Sequence, residues 1–333
     1  MRRRDVTMPV MIGDTLAKFS AQFDWVPEVE RGETLRPFKH YIVAGMGGSH
    51  LGAWLIKRFG AVSNIEIHRD YSLPDVAPDQ ARDTLVILSS YSGTTEETLD
   101  AARTALERRL PVVAATTGGK LAEFAREHRA PLILIPQTGL QPRMAVGYSM
   151  IAMARLMSNP MLEDSIRASG KRVDPTVGKA EGERLAAALR GKVPLIYSSA
   201  ANVPISYIWK IKFNETSKIP AFCNVFPELC HNELSGFDVA DSTRSISGNM
   251  HALFLQDFSD HPRVVERMKV AAEILGERGI PVEKIALAGK TGFEKALNSA
   301  ILADWVSFTL ANDYGVPNPE TPLVAEFKKR IAQ

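Results

Sequence analysis

The chain has 333 residues, room for two domains at about 150 residues each, and its 45% hydrophobic and 23% charged residues are those of an ordinary globular protein. Its 40 Lys and Arg against 38 Asp and Glu leave a net charge of +2, too slight a basicity to imply nucleic acid, and the Arg2-Arg3-Arg4 run is too short to change that. No uncharged segment is long enough to span a bilayer and no apolar core follows the first charges, so no membrane anchor or signal peptide is expected and the expected location is cytoplasmic. Only Cys223 and Cys230 occur, which gives no disulfide framework. Together with His231 they lack the short Cys-x-x-Cys spacing of zinc sites, so no metal is expected.

In chain order, Met11, Ile12, Leu16, Phe19 and Phe23 recur at helical spacing and predict an N-terminal helix over 9–25 that serves as scaffold. A strand at 40–44, the glycine turn Gly45-Met46-Gly47-Gly48-Ser49 and a helix over 51–59 form the first strand–turn–helix unit. Those glycines lack the third position of a dinucleotide fingerprint, and no acid closes the next strand at the right distance, so a nicotinamide cofactor is poorly supported. Further apolar runs at 62–68, 84–88, 112–115 and 132–135 alternate with helical segments, and a helix is predicted over 144–157. The polar stretch 158–177, with Pro160, Gly170 and Pro175, predicts a linker between a domain over 1–157 and a second over 178–333. In that second half, strands are predicted at 193–197, 252–255 and 280–288, with helices at 203–218, 264–275 and 292–310 and a docked C-terminal helix at 322–331. The fold class is α/β: two doubly wound domains, each a mainly parallel sheet flanked by helices.

The chain is organised around Ser89-Ser90-Tyr91-Ser92-Gly93-Thr94-Thr95-Glu96-Glu97-Thr98, which joins the strand at 84–88 to a helix. Free backbone N–H groups, hydroxyls and the positive helix end meet there, a setting for a phosphate monoester. Helix capping would account for one or two of these hydroxyls; five of them, Ser89, Ser90, Ser92, Thr94 and Thr95, favour an anion site. The glycine turn at 45–49 lies at the carboxyl end of its own strand, so both turns can converge on one ligand. Three other groups attract notice. Glu215, in Phe213-Asn214-Glu215-Thr216-Ser217-Lys218, taken alone reads as a solvated partner of Lys218. His231, in Pro227-Glu228-Leu229-Cys230-His231-Asn232, is either structural or a proton carrier, and Arg143, in Gln141-Pro142-Arg143-Met144, is either a salt-bridge partner or an oxyanion stabiliser.

The motifs Gly45-x-Gly47-Gly48-Ser49, Ser90-Tyr91-Ser92-Gly93-x-Thr95-x-Glu97-Thr98, Pro142-Arg143, Asn214-Glu215-x-x-Lys218, Pro227-Glu228-x-x-His231-Asn232 and Asn318-Pro319-x-Thr321-Pro322 occur in one series. In that order they resemble the bifunctional phosphoglucose/phosphomannose isomerases, sugar isomerase (SIS) domain proteins of the phosphoglucose isomerase superfamily. The resemblance runs from about residue 40 to the C-terminus and implies two SIS-type domains. It implies that Gly47, Gly48, Ser49, Ser90, Ser92 and Thr95 hold a 6-phosphate, and that Glu215 moves a proton between C1 and C2 through a cis-enediol(ate). It further implies that His231, supplied by the neighbouring subunit of a homodimer, and Lys328 assist ring opening, that Arg143 stabilises the enediolate, and that Thr321 admits mannose 6-phosphate. The implied substrates are glucose 6-phosphate, mannose 6-phosphate and fructose 6-phosphate, with no cofactor. Elementary chemistry agrees: abstraction alpha to a carbonyl needs a positioned carboxylate, and the guanidinium of Arg143 supplies a fixed cation for the developing charge. The alternatives are a monofunctional phosphosugar isomerase and a non-catalytic phosphosugar sensor. The sensor would ordinarily add a helix-turn-helix module, and nothing between Met1 and His40 is long or basic enough for one. Cys230 stands where some relatives carry a second histidine, and residues 1–35 show no motif.

Overall fold

The computed structural model describes residues 16, 19–316 and 320–331. They fall into two compact units, one within 17–174 and 290–294, the other within 175–289 and 295–333, with Leu16 assigned to the second. The first unit is built on a six-stranded sheet of β1 (Val29–Glu30), β2 (His40–Ala44), β3 (Ile65–His68), β4 (Thr84–Ser89), β5 (Val112–Thr116) and β6 (Leu132–Leu134). Their order is β1-β6-β5-β4-β2-β3, parallel throughout except for the short edge pair β1 and β6. Every residue of β4 is buried, as a strand covered on both faces requires. Alternation sends Ile42, Ala44, Val86, Leu88, Ala114 and Leu132 to one face, where they meet alanines of two helices. These helices are Glu96–Glu107, contributing Ala101, Ala102 and Ala105, and Gly119–Glu127, contributing Leu121, Ala122 and Ala125. A further pair, α1 (Leu51–Phe59) and α2 (Val146–Leu156), contact β3 and β5 respectively and cross at Gly52. A side chain there would begin 2.5 Å from Ser149 Oγ and 2.7 Å from Met150 N, so only glycine permits that approach.

Where a linker was expected the chain forms the helix Pro160–Lys171. Asn159 caps it by accepting the Leu162 N–H at 3.0 Å, and Leu162 and Ile166 are buried, so two local rules outweigh the Pro160 and Gly170 that suggested a break. Division of the contacts falls at Asp174 and Pro175. The expected N-terminal helix lies mostly outside the described residues, of which Leu16 and residues 19–21 are helical.

The second unit carries four parallel strands in the order β10-β9-β7-β8: β7 (Val193–Ser199), β8 (Phe222–Phe226), β9 (Met250–Gln256) and β10 (Val282–Ala286). Tyr197, Phe226 and Phe254 stack edge-on or tilted at 5.2–6.3 Å at the centre of its core. The long helix α3 (Gly292–Asp313), from residue 295 on, belongs to this unit and is bolted to α4 (Val203–Lys212) by buried polar contacts. Trp209 Nε1 donates to Ser299 Oγ at 2.9 Å, and Lys212 Nζ donates to Ala300 O at 2.9 Å and pairs with Asp304 Oδ2 at 2.6 Å. The C-terminal helix Pro322–Ile331 forms where expected but is not docked: it buries no residue, and Leu323, Val324, Phe327 and Ile331 are all exposed.

Both members of the Lys212–Asp304 pair are almost fully buried, at 1% and 2% exposure, so removing one charge strands the other. Lys212→Met is expected to cost about 3–5 kcal/mol, read as a lowered urea midpoint with an unchanged slope. A loss below about 1 kcal/mol would show that the pair does not hold α4 to α3.

Candidate functional site

Within the first unit, the glycine turn after β2 and the hydroxyl turn after β4 are in contact at the carboxyl ends of adjacent strands. A Cβ on Gly45 would fall 2.6 Å from Ser89 O, and Gly47 takes a left-handed conformation with φ +53°. Ser89 Oγ donates to Ser49 O at 2.7 Å, while Ser49 Oγ accepts the Tyr91 N–H at 3.0 Å. Ser90 Oγ donates to Thr95 Oγ1 at 2.8 Å and accepts the Gly93 N–H at 3.1 Å, and Ser92 Oγ lies 3.1 Å from Thr94 Oγ1. Gly93 is at φ +69°, and a Cβ on it would lie 1.8 Å from Gly118 O, so the loop is closed against its neighbour by main chain.

Thr95 occupies the N-cap position of the helix Glu96–Glu107, yet its side chain makes no capping bond and is turned into the hydroxyl chain. Simple helix capping therefore does not account for the cluster. Arg143 joins this group: its turn, Pro142–Met144, packs on the glycine turn so tightly that a Cβ on Gly48 would lie 2.6 Å from Pro142 C and 2.7 Å from Arg143 N. The Arg143 side chain is buried. Of the residues singled out in the sequence, the first unit thus brings together Gly47, Gly48, Ser49, Ser90, Ser92, Thr95 and Arg143.

Sequence reasoning passed over His50, which ends the glycine turn and is fully buried. Its ring lies 5.4 Å from that of Trp54, over which the Arg69 guanidinium sits at 5.0 Å. Burial first, and the charge of Arg69 second, push the imidazole down to about 4, so it stays neutral beneath the turn.

In the second unit, the helix predicted to run on to Lys218 changes its winding: α4 passes into a π-turn over Phe213–Ser217, closed by Lys218 at φ 56°. The reason lies in its anchors. Lys212 and Ser217 both bond to α3, Ser217 Oγ donating to Ser307 O at 2.7 Å. Positions five apart point about 140° away from each other on an α-helix. The i→i+5 bonding of a π-turn brings them toward one side. Glu215 sits in that turn, half-buried. Lys218 Nζ donates to Glu215 O at 2.5 Å and also to Glu320 O, so the segment leading to Thr321 is tied to the turn of Glu215. Lys218 is thus a main-chain clamp and not only the surface partner that spacing suggested. Thr321 is partly exposed, and its carbonyl accepts the Ala325 N–H at 3.1 Å as the last helix begins; Asn318 and Pro319 lie outside the described residues. Lys328 is exposed on that helix.

His231 is exposed at the end of the turn Glu228–His231. Its neighbours hold the turn: Asn232 Nδ2 donates to Glu228 Oε1 at 2.8 Å, and the Glu233 carboxylate accepts from both Tyr197 and Asn224. Burial, with Glu233 beside it, pushes the Tyr197 hydroxyl well above its ordinary range and keeps it a donor. Among the described residues no cluster of three His, Cys, Asp or Glu side chains offers a metal site.

The architecture is two mainly parallel sheets, one of them carrying a hydroxyl-and-glycine loop at the carboxyl ends of its strands. Residues 178–331 match the model of the bacterial phospho-glucose isomerase C-terminal SIS domain. The chain is 35% identical over 311 residues to a bifunctional phosphoglucose/phosphomannose isomerase of Caldicellulosiruptor bescii, covering 88% of this chain and 89% of the relative. It is 31% identical over 320 residues to another so named from Aquifex aeolicus, covering 94% and 96%. The chain belongs to the bifunctional phosphoglucose/phosphomannose isomerase family. In fold it is similar to a glucosamine-6-phosphate deaminase of Thermotoga maritima, at 14% identity with a TM-score of 0.63 over 92% of this chain and 94% of that one. A glucose-6-phosphate isomerase-like protein of Thermus thermophilus is likewise similar in fold, at 18% identity and a TM-score of 0.61 over 96% and 95%.

His50 generates a pH prediction. Its folded value near 4 lies below the ordinary 6.5, so between these the unfolded chain takes up a proton that the folded chain refuses. Stability is fully present above about pH 6.5 and falls as pH drops toward 4, by up to about 3 kcal/mol from this group. Denaturant unfolding between pH 4 and 7 should show that slope, and His50→Gln should flatten it. An equal slope in the variant would assign the effect elsewhere.

Proposed function

We propose that this chain is an aldose–ketose isomerase that interconverts glucose 6-phosphate and mannose 6-phosphate with fructose 6-phosphate. The observation that supports the reading is the hydroxyl loop bonded to the glycine turn, which in turn packs by main chain on the segment of the buried Arg143, all within one unit. The phosphate does not react. Held by Gly47, Gly48, Ser49, Ser90, Ser92 and Thr95, it fixes the remote end of the sugar so that the reacting carbons are presented in one geometry. Glu215 acts as the base: its carboxylate takes the proton from C2 of the open-chain aldose and returns it to C1, and the reverse for the ketose. Negative charge collects on the enediolate oxygens, where the guanidinium of Arg143 stabilises it. His231 and Lys328 open the sugar ring by moving protons to and from its oxygens.

The exposure of His231 in the single chain suits its use by a neighbouring subunit, and we take the working form to be a homodimer acting in the cytoplasm. Thr321, next to the Glu320 carbonyl that Lys218 ties to the turn of Glu215, leaves room for rotation about C2–C3 and so admits mannose 6-phosphate. Family membership supports both substrates, since the relatives cited carry both activities in their names.

Glu215→Gln is expected to lower kcat by about 100- to 10,000-fold for both aldoses and to stop exchange of the C2 hydrogen with solvent, with inorganic phosphate still bound. Retained exchange would defeat the assignment. Thr321→Gln should reduce mannose 6-phosphate turnover more than glucose 6-phosphate turnover in a coupled assay. An equal loss on the two would remove Thr321 from the choice of substrate.

A further inference from the structure

Arg143 lies in a turn of three residues, Pro142–Met144, whose own hydrogen bonds are local: Met144 N and Ala145 N donate to Gln141 O at 2.8 and 3.2 Å. Such a turn does not by itself fix the direction of a long side chain. One side of it rests on Gly48. It is also bonded by Gln22, a completely buried side chain from the N-terminal segment. Its Nε2 donates to Met144 O at 3.0 Å and its Oε1 accepts the Tyr148 N–H at 3.2 Å. One bond needs a donor and the other an acceptor, so the amide has a single orientation. Tyr148 N lies in the first turn of α2, where no intrahelical acceptor exists. Gln22 therefore splints the bend between the Arg143 turn and the helix that follows it.

The splint is itself seated. Phe23 is fully buried, its carbonyl accepts Arg167 Nη1 at 2.9 Å, and its ring occupies space that side chains on two glycines would fill. A Cβ on Gly170 would lie 2.2 Å from that ring, and one on Gly147 would lie 2.9 Å from both Phe23 Cζ and Gln22 Cβ.

We propose that Gln22 is a positioning residue for Arg143: it touches no substrate, and it sets the direction in which the guanidinium is presented. This rests on the reading of Arg143 as the cation that stabilises the enediolate. Gln22→Met keeps the length of the side chain and removes both bonds. In the full-length protein the expected result is a kcat about 10- to 100-fold lower, the cost of misplacing a catalytic group by about 1 Å. KM for glucose 6-phosphate and the inhibition constant of inorganic phosphate should stay within about twofold of wild type. A five-carbon aldonate 5-phosphate, whose carboxylate resembles the planar enediolate, should lose affinity by the same factor as kcat. A merely structural role would reduce the fraction of active protein and leave both inhibitors unchanged on the molecules that remain folded.

Arg143→Met is measured beside it. If that variant keeps its turnover, the reading of Arg143 fails and the role of Gln22 falls with it. If Arg143→Met is inactive while Gln22→Met turns over normally, or weakens phosphate and the mimic equally, only the inference about Gln22 is overturned. Should Gln22→Met not fold, Gly147→Ala decides. Its methyl presses on Gln22 and on the Phe23 ring that seats it, without removing the amide, and the same split between the two inhibitors is expected with a smaller loss of about three- to tenfold in kcat. A Gly147→Ala protein with wild-type kinetics would then overturn the proposal.

Discussion

The hydroxyl loop and the turns beside it depend on main chain touching main chain. Gly45 against Ser89, Gly48 against Arg143 and Gly93 against Gly118 are three places where a single carbon would intrude to between 1.8 and 2.7 Å of a neighbouring backbone atom. Because those carbons are absent, the ends of β2 and β4 and the turn of Arg143 close on one another. The hydroxyls then bond in two groups, Ser89 and Ser49 with the Tyr91 N–H in one, Ser90 and Thr95 with the Gly93 N–H in the other. A preformed set of donors would lose little ordering entropy on meeting an anion, the property that the proposed grip on the sugar's unreactive end requires.

Glu215 is held by a different device. No glycine lies in its turn; instead Trp209, Lys212 and Ser217 reach from α4 and the π-turn to fixed polar groups on α3, and Lys218 closes the turn onto the carbonyls of Glu215 and Glu320. Buried polar contacts of this kind cost desolvation and contribute little net stability, but each has one geometry that satisfies it. A widened turn follows from that geometry, and the direction of the Glu215 side chain follows from the turn.

Much of this was legible in the chain. Strands β2, β4, β5, β7 and β9 each contain a run of buried apolar residues, as strands of a parallel sheet covered on both faces do. β8 escaped notice because Phe222-Cys223-Asn224-Val225-Phe226 lies on a sheet edge with Phe222 exposed, so its pattern is broken by a polar residue. Helix Pro160–Lys171 escaped because proline and glycine mark ends in one setting and are used for a first turn and a close contact in another. Gln22 left no local signal at all, since its partners lie 122 and 126 positions away.

The sequence alone determined the fold class, the position of the hydroxyl loop and the family, because periodicity, turn residues and motif order are properties of short stretches read in series. Tertiary structure alone decided that Thr95 belongs to the hydroxyl chain and not to a helix cap, that the helix before Lys218 must widen, and that an amide near the N-terminus supports the turn of Arg143. In each case the deciding partner is remote in the chain. A side chain's own neighbours fix which hydrogen bonds it could make, and only packing fixes which of them it does make.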